Sequence, residues 1–474
     1  MSAPGGRRRA VLVAVTAALL TLAGPIWPVA AQPGIRPPGV PPPVNPAELP
    51  TPGILPYIVN NSVTQQVGDA QQTTACVQQF TDTEVAVETE PVNQRRLGIQ
   101  EAHEFATGRD QMVAVIDSGV SRHRLLEGRL FDGGDYIENV GGLFDCDGHG
   151  TAVAGIIAAG IDPATRFVGV APSAKILSIR QGSSFYSVRL RSIVTGQEFS
   201  SMLAGDTISM AQAVVRAVQG GATVINISEA ACFAAQANQV NAPDLQAAVH
   251  YAVESNVVVV VAAANLSDQC KQNTAGQVTT ISSPGWFDDD VLAVAATGDN
   301  DEVADFSMHG PWVDVAAPGT GAVSLDVTGP GLTTTLVNAN GQRSEIDGTS
   351  FAAPYVAGLA ALVRERYPHL TARQVMHRIE QTAQGAAGPG GRNGAIGYGI
   401  INPVAALNAV LPEEAGVTPE RTPSGQLTDV VLSPPEDPRA RTIALVGAGV
   451  AVGLLGLTIL IVYTIKWHRQ NRTP

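Results

Sequence analysis

The chain is short of positive charge. Its 474 residues carry 29 Lys and Arg against 42 Asp and Glu, a formal net charge of −13. Six of the cations sit at the two ends (Arg7, Arg8, Arg9, Lys466, Arg469 and Arg472), so residues 32–465 alone carry −19. So acidic a body argues against nucleic acid or an anionic membrane surface as partner. Metal-binding spacing is also missing. No pair among the four cysteines has C-x-x-C spacing, which weighs against a zinc site. No EF-hand loop occurs either, and no required cofactor is expected. Residues 33–56 carry ten prolines and cannot fold as a compact domain. They are expected to run as an extended polyproline arm.

What the chain does have is three short segments, each built to present one side chain: VAVIDSGV around Asp117, DGHGTAVAG around His149 and DGTSFAAPYVAG around Ser350. Residues 113–116 are apolar and β-branched with turn residues after them, the pattern of a buried parallel strand. Asp117 then falls at the strand's carboxyl end, where open α/β sheets keep their sites. His149 stands between Gly148 and Gly150 and opens an apolar stretch, 152–159, that reads as a helix packed tightly on the sheet. His103, His123, His250, His369, His377 and His468 read as surface residues, and His309 as a loop residue. Ser350 precedes Phe351-Ala352-Ala353-Pro354, with the proline expected in a helix's first turn, where its missing N–H is tolerated. A hydroxyl at a helix N-terminus lies where backbone N–H groups and the helix dipole favour a developing oxyanion. A plain N-cap serine would explain the helix but not the preceding Asp-Gly-Thr. An acid, an imidazole and a hydroxyl are what nucleophilic hydrolysis of the Ser-His-Asp kind requires.

Apolar strands at 113–116, 175–179, 223–227, 257–262 and 291–295 alternate with helical stretches at 208–219 and 245–254. That alternation predicts a parallel sheet covered on both faces. Residues 180–207 read as a long polar loop near the cleft, 370–381 as a late helix and 399–402 as a closing strand and turn.

Both ends carry export signals. Three arginines, an apolar run and Val29-Ala30-Ala31 read as a secretory signal peptide cut after Ala31, with a retained signal anchor as the alternative. Residues 442–465 are about 24 residues without a charge, long enough to span a bilayer. The cations after them place the tail in the cytoplasm and the body outside. An even cysteine count in an exported chain suggests two disulfides, and sequence alone allows three pairings. Cys232 and Cys270 follow strands expected to be neighbours; their pairing would leave Cys76 with Cys146, three residues before His149.

The three motifs, in the order Asp, His, Ser, resemble the subtilisin-type serine proteases. The resemblance implies that Asp117, His149 and Ser350 form the catalytic triad and that Asn265, after the valine run 257–261, donates its amide to the oxyanion. It also aligns Ser228, Glu229, Ala230 and Ala264 with the walls of the specificity cleft. Two departures stand out. Ala264 precedes Asn265 where the family usually has glycine, and Glu229-Ala230 replaces an apolar residue and glycine. The added methyl groups imply preference for a small residue on the acyl side of the cleaved bond. Subtilases can hold calcium in irregular loops, but no metal ligands are assigned here.

The whole order resembles the mycosins, membrane-anchored subtilisin-like proteases of actinobacterial type VII secretion systems, most closely in NISEAAC and DCDGHGT. It implies a signal peptide at 1–31, a Pro-rich arm at 32–76 and a peptidase domain at 77–410. A Pro-rich stalk at 411–441, a transmembrane helix at 442–465 and a basic tail at 466–474 follow. The expected fold is α/β, subtilisin-like and three-layered, with a mostly parallel central sheet and one C-terminal transmembrane helix. The expected partners are protein substrates, the membrane and the secretion complex. Tied at Cys76, the arm is expected to wrap the domain rather than act as a removable inhibitor. Two other roles remain open: a structural subunit of the complex with proteolysis secondary, and a generic degradative surface protease.

Overall fold

The structure, a computed structural model, describes residues 40–415 other than 52–56, 60–62, 66–69, 78–86, 193–197, 236–241, 275–276, 386–387 and 389–390. The expected signal peptide, transmembrane helix, tail and nearly all of the stalk lie outside the described residues. Among the described residues no helix is long and apolar enough to cross a membrane.

A nine-stranded sheet forms the centre. Its strands are β1 (Met112–Asp117), β2 (Leu130–Asp135), β3 (Lys175–Arg180), β4 (Val224–Ile227), β5 (Val258–Ala262), β6 (Leu292–Thr297), β7 (Val313–Pro318), β8 (Gln384–Gly385) and β9 (Gly399–Ile400). In space they run β8-β9-β7-β6-β5-β4-β1-β3-β2. Every pairing is parallel except β8 with β9. The valines of β5 are wholly buried, which requires cover on both faces; each contributes roughly 1.5–3 kcal/mol by leaving water. That cover comes from α1 (His149–Ala158), α2 (Thr207–Gln219), α3 (Pro243–Glu254), α4 (Thr349–Arg366) and α5 (Ala372–Gln381). Helix α1 packs with α4, and α2 with α3. The chain reverses direction through the sheet at β1, whose neighbours are β3 on one side and β4 on the other. A crevice at such a switch point, at the strands' carboxyl ends, is where open α/β sheets bind ligands.

The expected strands and helices are present with ends shifted by at most three residues, but β2, β7 and β8 lie outside that reading. All three sit toward the flanks of the sheet, and β2 (LFDGGD) carries two glycines and two aspartates in place of an apolar run. One expectation is overturned. Residues 180–207 are no loop: Ser183–Ser192 and Glu198–Ala204 pair antiparallel. Onto this ribbon the N-terminal arm adds strands, Ala70–Gln72 beside Ser187 and Val63–Gln65 beside Ser192. Phe185, Tyr186, Val188 and Ala204 make a small separate core with Ile137 and Cys146. The segment looked aperiodic because its order depends on strands supplied from far upstream.

Both disulfides form as expected from the neighbouring strands, Cys232 with Cys270 and hence Cys76 with Cys146. The second ties the arm to the loop leading into α1. Further upstream, the Pro42 carbonyl accepts a 2.6 Å hydrogen bond from Gln246 Nε2 on α3.

Candidate active site

Asp117 is the last residue of β1 and is fully buried. Its Oδ1 accepts the Ser118 N–H at 2.7 Å and lies 2.7 Å from His149 Nδ1. That contact fixes the imidazole with Nδ1–H toward the acid and Nε2 free. His149 is itself the first residue of α1 and its side chain keeps 27% exposure. Gly150 is required beside it, because a Cβ there would stand 2.1 Å from the Gly119 carbonyl oxygen.

The start of α1 has no side-chain cap at Gly148; Asp145 does that work. Its carboxylate accepts from Gly148 N–H (2.9 Å), Thr151 N–H (2.9 Å) and Thr151 Oγ (2.6 Å), satisfying donors that a helix N-terminus leaves open. Ser118 Oγ donates to Asp145 at 2.9 Å and accepts the Gly150 N–H at 2.9 Å. Asp145 thus links the acid's strand to the imidazole's helix. Asp147, on the other side of Cys146, accepts from Ser183 Oγ, Ser184 N–H and Ser184 Oγ, so the ribbon is anchored to the same loop. Sequence reasoning missed both acids. They stand in plain view in DCDGHGT, but nothing there says which way they turn.

Ser350 is the second residue of α4. Pro354 proves to lie beyond the first turn, inside the helix, four residues after Ser350. A proline there cannot donate to the carbonyl four residues back, so the Ser350 carbonyl is left free. Ser228 Oγ takes it at 2.8 Å, itself held by Asn226 Nδ2 at 2.8 Å. The Ser228 side chain, 2% exposed, therefore braces the nucleophile's turn.

Asn265 follows β5. Its Oδ1 accepts both the N–H and the hydroxyl of Thr349 at 3.0 Å. This leaves the amide hydrogens to point away from Thr349, and Nδ2 lies beside Gly348, which precedes Thr349-Ser350. Ala264 is buried, 4% exposed, and holds φ +87°. That backbone region disfavours any residue with a Cβ, which accounts for the glycine usual at this position. Ala230 and Glu229 are half-buried just past the end of β4.

Electrostatics at the site centre on His149. Burial alone would depress its pKa, but the charge and hydrogen bond of Asp117, then Glu229 and Asp145, outweigh it and raise it to about 9. Glu229 is held well above the usual carboxylate range by burial and by the negative charges of Asp117 and Asp147, against the pull of His149. Asp145 is pushed up to about 6 by burial, with Asp147 adding repulsion.

The structure corrects the reading of one histidine. His123 is buried: its Nδ1 accepts the Leu125 N–H and its Nε2 donates to the Gly331 carbonyl, a partner too distant in sequence to foresee. His103 and His250 are half-buried, His103 on the Val170 carbonyl and His250 on Asp290.

The fold and the acid, imidazole and hydroxyl at its switch point define a subtilisin-like serine peptidase, and residues 108–399 match the subtilase family, Peptidase S8. Mycosin-1 of Mycobacterium tuberculosis (strain ATCC 25618 / H37Rv) is 39% identical over 466 residues, 94% of this chain and 97% of that relative. Mycosin-4 of the same organism is 42% identical over 378 residues, 77% of this chain and 79% of that relative. The crystal structure of MycP1 from the ESX-1 type VII secretion system matches with a TM-score of 0.68 at 35% identity, covering 81% of this chain and 98% of that one. A chain of an intact ESX-5 inner membrane complex matches with a TM-score of 0.67 at 33% identity, covering 90% of this chain and 99% of that one. The chain belongs to the mycosins, within the subtilase family.

Proposed function

We propose that the protein is a membrane-anchored endopeptidase that processes proteins exported by a type VII secretion system and is associated with that system's membrane complex. The observation that carries the chemistry is the 2.7 Å contact of His149 Nδ1 with Asp117 at the carboxyl end of β1, with Ser350 opening α4. In this reading His149 Nε2 takes the proton of Ser350 Oγ as that oxygen bonds to the scissile carbonyl carbon. Asn265 Nδ2 and the Ser350 N–H donate to the oxyanion, a contribution worth ~100- to 1000-fold in rate for one such donor. The C–N bond then breaks, the amine leaves with the proton from His149, and water hydrolyses the acyl-enzyme. Ala230 and Ala264 narrow the primary pocket, so cleavage follows small residues. No cofactor enters any step.

The export signals at 1–31 and 442–465 support a single span with the peptidase outside and the tail in the cytoplasm. The pairing of arm strands 63–65 and 70–72 with the ribbon, and the tie at Cys76, support an arm that wraps the domain and needs no removal. Fluorophosphonate labelling of the full chain in detergent tests the site: labelling is expected in the wild type and absent in Ser350→Ala. Equal labelling of both would sink the assignment.

One observation favours a second reading, a structural subunit with secondary proteolysis: a relative sits within an ESX-5 inner membrane complex. Secretion restored in full by a Ser350→Ala strain would place this role first.

A further inference from the structure

We propose that Glu229 is a positioning residue for the general base: a second carboxylate, supplied from the end of β4, that holds the His149 imidazolium and so sets the pH at which the imidazole becomes free to act. The inference rests on the assignment of His149 as the base of a Ser350 nucleophile.

The backbone from which Glu229 projects is fixed on one side. Ser228, just before it, is bound to Asn226 behind and to the Ser350 carbonyl in front. From there the Glu229 carboxylate reaches back over Gly182, so close that a Cβ on Gly182 would lie 2.4 Å from its Oε2. Gly182 and Gln181 both direct their N–H groups at the Asp117 carbonyl, at 3.4 and 2.8 Å. The Glu229 carboxylate is therefore packed against the turn that closes over the end of β1, the strand that carries the triad acid.

The charged groups that act on it come from two elements. Asp117 ends β1; Asp147 belongs to the loop entering α1, and His149 is that helix's first residue. Asp145, from the same loop, acts on His149 as well. Gly182, against which the carboxylate packs, and Ser228, just before Glu229, carry no charge. One imidazole thus serves as counter-ion to several carboxylates at once. Asp117 holds its hydrogen bond and Asp145 is engaged with five donors. Among the described residues no hydrogen bond of that kind occupies the Glu229 carboxylate, and the charges that act on it are those of Asp117, His149 and Asp147. An ionised Glu229 stabilises the imidazolium, the form that cannot accept the Ser350 proton. The direction follows: Glu229 moves the acid limb of the activity profile toward higher pH.

The test is the rate of fluorophosphonate labelling of the full chain in detergent, followed across the range in which histidine titrates, for wild type, Glu229→Gln and Glu229→Asp. Glu229→Gln keeps the shape and removes the charge. Its acid limb is expected about one pH unit lower, the usual size for losing one nearby opposite charge. Below the wild-type midpoint it should then label up to ~10-fold faster, one unit of an acid limb being a factor of ten. Glu229→Asp, with the charge on a shorter stem, should fall between. A packing role would change the rate at every pH and leave the midpoint in place, so an unmoved midpoint in both variants overturns the proposal. Should Glu229→Gln fail to fold, Glu229→Asp alone decides. Labelling that persists in Ser350→Ala would instead strike the site assignment, so the two failures are distinguishable.

Discussion

At the scale of single residues, Ala264 is where the backbone and the side chain disagree. It holds φ +87° while its carbonyl is used by the Met308 N–H at 3.0 Å. A Cβ in that region costs roughly 1–2 kcal/mol, while glycine's greater unfolded-chain entropy offsets about 0.5–1 kcal/mol of the relief. Ala264→Gly should therefore stabilise the protein by about 0.5–1 kcal/mol, seen as a raised denaturation midpoint. If its methyl also narrows the primary pocket, the same variant should cleave after larger residues than the wild type does in a peptide-library profile. A lowered midpoint would show that contacts of the methyl group, rather than strain, decide this position. Pro354 teaches the same kind of lesson. Its effect is felt at Ser350, through a carbonyl that the helix cannot use and Ser228 can.

At the scale of elements, the loop between β2 and α1 carries unusual weight. Within five residues its end and the first position of α1 hold Asp145, which caps α1; Cys146, bound to the arm; Asp147, bound to the ribbon; and His149. The Cys76–Cys146 bridge closes a separation of 70 residues and Cys232–Cys270 one of 38. Chain entropy alone gives each about 4 kcal/mol. Stability loss should thus be similar when either bridge is replaced by paired serines. Turnover should differ, because only the first bridge anchors the loop that sets His149. Expected is a clearly larger fall in kcat for Cys76→Ser with Cys146→Ser, read beside matched unfolding curves; equal kcat in the two variants would remove the loop from the catalytic argument.

At the scale of the whole molecule, stability should depend on pH with a definite sign above neutrality. The folded pKa of His149 is raised from 6.5 to about 9. In that window the folded state keeps a proton that the unfolded state has released, so stability falls as pH rises. The histidines with lowered values, His103, His123 and His309, are uncharged in both states there and do not oppose it. The thermal midpoint is expected to drop between pH 6.5 and pH 9, and to drop less in His149→Ala. A flat or rising midpoint would contradict the electrostatic description of the site.

Much of this architecture follows from local chemistry that a sequence carries openly. Apolar β-branched runs ending in Asp117 or leading to Asn265 become buried parallel strands, and a parallel sheet delivers its strand ends to one edge. His149 and Ser350 open helices rich in small residues, so all four side chains were bound for the same rim. The disulfide pairing followed from that same rim, since β4 and β5 are neighbours. Only the tertiary structure decided what holds those side chains still. Asp145, Ser118 and Asn226 act through hydrogen bonds whose partners are set by rotamers and turns, which leave no periodic mark. The ribbon of 183–192 and 198–204 needed strands from the arm, and His123 needed a carbonyl at Gly331. Hydrophobic periodicity is written locally because burial acts residue by residue; polar partnership is a property of pairs, and folding alone brings the pairs together.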